Sequence, residues 1–394
     1  MNTGRRGGSE RGGERAPLSG GRILITGIRL TPLFLTFKEP YHWAGRVDHG
    51  SPVVLVEVET DAGITGVGES VASLAAEGTV AALRCVEPLF VGQPIHDVAR
   101  LAHEARHLGS FNHLPWYADF VLAGVDMALW DAIGKAAGQP VYRLLGGAVR
   151  DEVDYFGFVQ GDATEELVED ARDLAAAGHQ VIYLKVGRGD EADLRNTAAV
   201  REVIGDRRLR VDPNCAWSVP DAIRMIHALE PYGIDWVEQP TTLLSVTALR
   251  QVREAVHVPI AADQAVLTEF DVYDFVRQRA CDAICLSTHE AGGLLAFGRA
   301  AAIAGAAGVP ICLHGQSVSG ITDAAQHHLG LSTPNLTDGN QIMHQLLVED
   351  LVGSPDLTPR EGRIGLIDAP GLGVEVDRDA VARAAERYRK GVFS

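Results

Sequence analysis

Polar residues recur at the ends of short apolar runs through the middle of the chain: Lys185, Asp212, Glu238, Asp263, Ser287, His314 and Asp338. Successive gaps run from 24 to 27 residues. That is the length of one strand, one helix and their loops. Each residue therefore holds the same place, the C-terminal tip of a strand in a repeated β/α unit. The strand candidates are VDYFGF, VIYLKVG, LRVDPN, DWVEQP, PIAADQ, AICLST, VPICLHG and a last one near NLTDGN. Ala- and Leu-rich helical segments separate them. Eight such strands predict a β/α barrel, whose strand tips converge on one mouth where chemistry is done.

Three successive carboxylates at that mouth, Asp212, Glu238 and Asp263, are hard to explain as structure. Taken singly, each would more often be a helix cap or a loop residue. Packed together without a counter-ion they would repel and resist ionisation. A hard divalent cation removes that cost, and all-oxygen ligation suits Mg²⁺, with Mn²⁺ as an alternative. Lys185 lies one unit earlier. A lysine aimed into a cationic mouth has its charged form disfavoured, so its pKa should fall and it can act as a base. An exposed lysine snorkelling outward is the bland alternative. His314, across the barrel, is a candidate to move a proton on the opposite substrate face, against the alternative of a hydrogen-bonded structural histidine.

The rest of the chain falls around this repeat. Residues 1–21 are Gly/Arg/Glu-rich without periodicity and read as a disordered tail. Residues 22–148 read as an α+β unit. ILITGIRLTPLFLTF is a strand, VVLVEVE alternates at period two before an Asp61-Ala62-Gly63 turn, and FVLAGVDMALWDAIGKAAGQP is a long helix stopped by Gly138 and Pro140. The barrel occupies 149–354. Residues 355–394 close with a short amphipathic helix expected to return to the first unit.

The net charge of −17 argues against a nucleic-acid partner. No apolar run reaches about 18 residues, so no membrane partner is expected. The N-terminus has no apolar signal region, and the five scattered cysteines form no zinc or disulfide pattern. A cytoplasmic protein is expected.

These motifs resemble the enolase superfamily, and within it the mandelate racemase/muconate lactonizing enzyme group. GITGVGES (63–70) is similar to that group's N-terminal hairpin, and AGVDMALWDAIGKAAGQPVYRLLGG (123–147) to its long helix. VDPN (211–214), WVEQP (236–240) and AADQ (261–264) resemble its three metal-ligand strands, and PGLGVEVD (370–377) its C-terminal return. The resemblance implies a modified TIM-type (β/α)7β barrel with an N-terminal α+β capping domain, in a homo-oligomer. It implies one Mg²⁺ that binds a small carboxylic acid substrate, and a base that removes the proton α to the carboxylate. The metal then stabilises the enediolate.

The sequence also departs from that group. The usual Lys-x-Lys reads Tyr183-Leu184-Lys185, so Tyr183 also points inward. Ser287 stands where a second lysine or an aspartate is usual, which leaves His314 without its carboxylate orienter. The acidic position of the last strand falls on Asp338 or Asn340. Candidate substrate contacts are Tyr183, Asn214, Ser287 and Asp338, with Trp43 and Arg46 from a long N-terminal loop that also carries Tyr41 and His42. Asn112, His113 and Trp116 are further candidates, and Arg46 is a candidate clamp for a distal anion. Lys185 as base with His314 as acid fits dehydration of a hydroxy, sugar-type acid better than it fits a racemase, epimerase or cycloisomerase. A metal-binding barrel without catalysis is the alternative of a different class.

Overall fold

The computed structural model describes residues 22–43, 46–72 and 75–391. The expected N-terminal tail lies outside them. The chain opens with an antiparallel sheet of β1 (Ile25–Trp43), β2 (Arg46–Thr60) and β3 (Thr65–Val71). Three helices follow: α1 (Ala76–Phe90), α2 (Val98–Arg106) and α3 (Pro115–Ala137).

β2 is buried on both faces, which is why VVLVEV is almost continuously apolar. Val53 and Leu55 join the large cluster that continues into the barrel. Val54, Val56 and Val58 pack with residues of the helices. Period-two alternation thus sends successive side chains into two different cores. The glycines of GITGVGES have a specific use. A Cβ on Gly66 or Gly68 would collide with α3 backbone at Ala128 or Gly124, so their absence of side chain lets the long helix lie directly on β3.

After α4 (Val141–Leu144) and β4 (Glu152–Asp154) the β/α alternation begins: β5 (Gly157–Phe158), α5 (Thr164–Ala176), β6 (Val181–Lys185), α6 (Asp190–Ile204), β7 (Arg208–Asp212), α7 (Val219–Leu229), β8 (Ile234–Glu238) and α8 (Val246–Ala255). It continues through β9 (Ile260–Ala262), α9 (Glu269–Gln278), β10 (Ala283–Leu286), α10 (Thr288–Ala291), α11 (Leu294–Ala306), β11 (Ile311–Leu313) and α12 (Gly320–Ser332). β5 to β11 form one parallel sheet in sequential order.

The eighth strand, expected near NLTDGN, is not a regular strand. Residues 335–341 close the ring through isolated bridges, Ile311 with Leu336 on one side and Tyr155 with Asn340 on the other. The physical reason lies in Arg210, fully buried on β7. Its Nη1 and Nη2 donate to the Gly339 and Asp338 carbonyls at 2.7 and 2.8 Å, and its guanidinium stacks on Trp236. Those carbonyls turn to the arginine rather than to a neighbouring strand, so the ladder breaks there.

Three short strands, β12 (Val352–Ser354), β13 (Arg363–Gly365) and β14 (Glu375–Val376), lead to α13 (Arg378–Arg389). Its Arg378 pairs with Glu57 of β2 at 2.7 Å, and Tyr388 Oη accepts from the Ala76 amide at 3.1 Å. The C-terminal segment thereby returns to the N-terminal unit.

Candidate active site

Register fixes the site. Lys185 and Asp212 are direct partners at the tips of β6 and β7. Glu238 ends β8, and Asp263, Ser287 and His314 each follow the last residue of β9, β10 and β11. The ligand oxygens of Asp212, Glu238 and Asp263 all lie within 4.8 Å of one another, and all three side chains are buried.

The three carboxylates are held differently. Asp212 Oδ2 accepts from Tyr183 Oη and Lys185 Nζ at 2.6 Å and from Asn214 Nδ2 at 2.8 Å, while Oδ1 accepts the Asn214 amide at 2.6 Å. Glu238 accepts from Tyr183 Oη at 2.8 Å, Gln341 Nε2 at 3.3 Å and Cys285 Sγ at 3.3 Å. Both Asp263 oxygens are buried without a hydrogen-bond partner. Burial, then repulsion from the other carboxylates, pushes Glu238 above the usual carboxylate range. Burial also raises Asp263, although His314 opposes it. A buried anion without donors is costly. The donor set, all oxygen with one orphaned carboxylate, fits a hard divalent cation.

Lys185 departs from expectation. Burial is the largest single effect and acts to lower its pKa, but Asp212 at 2.6 Å, Tyr41 and Glu238 together outweigh it and raise the pKa above the usual lysine value. The anion beside it, rather than a cationic mouth, sets its state when no cation shares Asp212.

His314 is corrected more sharply, because it does have a carboxylate orienter. Its Nδ1 lies 2.8 Å from Glu290 Oε1 and 3.3 Å from Asp263 Oδ1. Burial would lower its pKa, but those two anions outweigh it and push it up to about 10. Glu290 reaches this place through a capping box. Ser287 caps α10, its Oγ accepting the Glu290 amide at 3.1 Å, while Glu290 Oε2 accepts the Ser287 amide at 2.7 Å. The S-x-x-E spacing from Ser287 was the available signal.

Ser287 and Tyr183 were expected to touch substrate. Both are fully buried; Ser287 serves as the cap, and Tyr183 braces Asp212 and Glu238 from below. Asp338 is not brought to the mouth. Its side chain is 70% exposed and pairs with Arg208, which begins the strand that Asp212 ends. Asn340 is occupied with the Leu313 amide and the Asp154 carbonyl. The residue at mouth level is Gln341: its Oε1 accepts the Gly315 amide at 2.9 Å and its Nε2 reaches Glu238. The irregular backbone at 338–339 shifts the last rung by three residues, which equal spacing could not reveal.

A cavity of about 410 Å³ adjoins this cluster through Lys185 and Asn214, which bond Asp212, and through His314, which lies beside Asp263. Lys185, Asn214, Glu290 and His314 form part of its barrel side, and Tyr41, Trp43 and Trp116 part of its capping side. Arg46 lies over the Trp43 ring, 5.5 Å from its centroid, and does not line the cavity. His42 sits 3.8 Å from Asp162 instead, and Asn112 and His113 are exposed. No helix among the described residues is long and apolar enough to cross a membrane.

A capped β/α barrel with successive strand-tip carboxylates around one mouth defines an enolase-type enzyme. Residues 26–146 match the mandelate racemase / muconate lactonizing enzyme N-terminal domain, and residues 166–380 match the enolase C-terminal domain-like family. The chain belongs to the mandelate racemase/muconate lactonizing enzyme group of the enolase superfamily. It is 30% identical to muconate cycloisomerase 1 of Rhodococcus opacus, over 91% of this chain and 98% of that protein. It is 28% identical to a probable glucarate dehydratase of Streptomyces coelicolor, over 93% and 92% of the two chains. An enolase described as a putative sugar isomerase, also from Streptomyces coelicolor, superposes with a TM-score of 0.85 at 30% identity, covering 94% of this chain and 99% of that one. The chain is therefore an isomerase or lyase of this superfamily, acting on an acid.

Proposed function

We propose that the cavity takes a hydroxy acid by its carboxylate and eliminates water from it, with Lys185 as base and His314 as acid. The observation that carries this reading is the placement of Lys185 and His314 on the same cavity, from strands on opposite sides of the ring, with Glu290 bonded to His314 Nδ1. Asp212, Glu238 and Asp263 would hold Mg²⁺, which supplies positive charge for the enediolate form of the substrate. With Asp212 engaged by the ion, Lys185 would be released from the anion that holds its proton, and its amine would serve as the base for the α-proton. Glu290 engages Nδ1, which leaves Nε2 of His314 to exchange a proton with substrate. Glu290 also stabilises the imidazolium, so His314 is loaded as a proton donor for the departing hydroxyl.

A second reading, epimerisation, is favoured by the same Glu290–His314 pair. With its orienter present, His314 is equipped to return a proton to carbon on the face away from Lys185. Incubating the Mg²⁺-loaded protein with 2,3-dihydroxy acids in D₂O separates the two by proton NMR. Dehydration gives a 2-keto-3-deoxy acid with deuterium at C3. Deuterium at the α-carbon with inversion and no water loss would replace the first reading with the second.

A further inference from the structure

Glu290 sits on a helix that cannot hold its own place. α10 is 4 residues long, well short of the roughly 12 at which an isolated helix becomes even marginally stable. The capping box with Ser287 fixes Glu290 within the turn, but not where the turn lies. Its place is set from the capping domain, by groups on three different elements. His289 Nε2 donates to the Glu69 carbonyl of β3 at 2.7 Å. Arg106, the last residue of α2, donates through Nη2 to the Gly292 carbonyl at 2.5 Å, at the C-terminal end of α10. Asp126 of α3 accepts the Leu294 amide at 2.8 Å, where α11 begins.

Arg106 is anchored at both ends. Its Nε donates to Asp119 Oδ1 at 2.6 Å, so one planar guanidinium joins a carboxylate of α3 to a carbonyl of the barrel. The backbone is shaped to receive it. Gly292 and Gly293 both have positive φ, 77° and 124°. A Cβ on Gly292 would stand 2.2 Å from Arg106 Nη2 and from Asp119 Oδ1, and one on Gly293 would stand 2.4 Å from the Asp126 carboxylate. Only glycine lets these charged groups of the capping domain reach the chain here. Arg106, Asp119 and Asp126 do not line the cavity at the barrel mouth. They line a separate one of about 600 Å³, which meets α10 at Ala291 and Gly292.

We propose that Arg106 is a positioning residue for proton transfer by His314: from the capping domain it fixes the end of α10, and through α10 the Glu290 carboxylate on His314 Nδ1. This rests on the reading of His314 as the group that passes a proton to substrate. The Gly292 carbonyl is two residues from Glu290, whose Oε1 lies 2.8 Å from His314 Nδ1. A bond of that length weakens steeply when its partners separate or turn. Lys185 is held from β6 and β7 instead, by its strand pairing and by Asp212. Loss of the clamp therefore falls on the His314 step and spares the base.

Arg106→Ala alone would leave the Asp119 carboxylate without its cation, so the main variant removes both charges, Arg106→Met with Asp119→Asn. It is assayed as the Mg²⁺-loaded full chain, with a 2,3-dihydroxy acid that the wild type dehydrates. Release of water should fall about tenfold or more, while KM and exchange of the α-proton in D₂O are retained. The proton on His314 Nδ1 gives a far-downfield proton NMR signal, assigned by its absence from His314→Asn. Without any substrate, that signal should shift or broaden in the double variant. Guanidinium ion added to Arg106→Ala should restore part of the lost rate, since the neighbouring cavity admits it beside Asp119. Where the double variant does not fold, Arg106→Lys gives the same readings, because it keeps the charge but has one nitrogen in place of two. Unchanged water release with an unchanged Nδ1 signal, in a variant folded by circular dichroism, overturns the proposal. So does loss of α-proton exchange in step with water release, which marks general damage to the site. If the Nδ1 signal moves while His314→Asn itself dehydrates normally, the clamp stands and the reading of His314 as acid fails, so the two failures are distinguishable.

Discussion

His314 places one imidazole nitrogen 2.8 Å from Glu290 and 3.3 Å from Asp263, so it joins a helix-capping carboxylate to a candidate metal ligand. Glu290→Gln keeps the shape and most of the hydrogen bonding but removes the charge that stabilises the imidazolium. Turnover should fall about 10- to 100-fold with little change in KM, as is common for partners of this kind. Unchanged kcat in steady-state assays would remove Glu290 from the mechanism.

Asp263 is the carboxylate whose oxygens accept no hydrogen bond, although His314 Nδ1 lies 3.3 Å from Oδ1. Asp263→Asn should leave the metal-free protein at least as stable as wild type, because an anion buried beside two other carboxylates is gone while Glu290 still holds His314. The same change should abolish the response to Mg²⁺. At about 100 times its Kd, the ion should stabilise wild type by roughly 2.7 kcal/mol, a rise of several degrees in Tm. Scanning fluorimetry with and without chelator checks both, and an undiminished Mg²⁺ shift in the variant would contradict the assignment.

The last rung of the barrel can be tested by contrast. Asp338→Ala should change stability by less than about 0.5 kcal/mol and leave activity intact, since its pair with Arg208 is exposed. Gln341→Leu leaves the Gly315 amide without its partner and removes one of the three donors to Glu238, at a cost of about 1–3 kcal/mol, and should weaken Mg²⁺ binding. The reverse order of effects would restore Asp338 to the site.

Buried histidines held neutral make the fold acid-sensitive: His289 on α10, pulled down to about 4 by burial, and two more away from the mouth. Burial pulls His327 down to about 4 and His328 to about 3. His327 fits its pocket neutral, accepting from Tyr155 Oη at 2.8 Å and donating to the Gly365 carbonyl at 2.7 Å. In the unfolded chain each takes a proton near pH 6.5. Their contribution is thus fully present above about pH 6.5 and is lost as pH falls toward the folded values, by roughly 1.4 kcal/mol per pH unit for each histidine. Buried carboxylates such as Glu69, raised to about 7, and Asp119 and Asp126, raised to about 6, act with the opposite sign in the same window. The histidine share is therefore read by difference: between pH 7 and 4.5, His327→Gln should lose less stability than wild type, by up to about 1.4 kcal/mol per pH unit.

Much of this architecture was legible from spacing. Apolar runs about 25 residues apart, each ending in a polar residue, located β6 to β11 and brought Lys185, Asp212, Glu238, Asp263 and His314 to one mouth. The last rung was not legible, because it depends on Arg210 drawing the 338–339 backbone out of register from across the barrel. Glu290 was hidden for a different reason. It lies one helical turn beyond a strand tip, where strand periodicity says nothing and only the capping box at Ser287 could have pointed to it. The occupation of Tyr183 by two ligand carboxylates likewise depends on three strands at once. Inward direction was readable; the partner was not.

The division of labour between Lys185 and His314 is the centre of the account, and deuterium exchange in D₂O tests it most directly. With a turned-over hydroxy acid and Mg²⁺, His314→Asn should retain exchange of the α-proton while losing release of water. Lys185→Met should lose both, by about a thousandfold or more, within the range attributed to general base catalysis. Exchange that survives in Lys185→Met and vanishes in His314→Asn would contradict the assignment of base and acid.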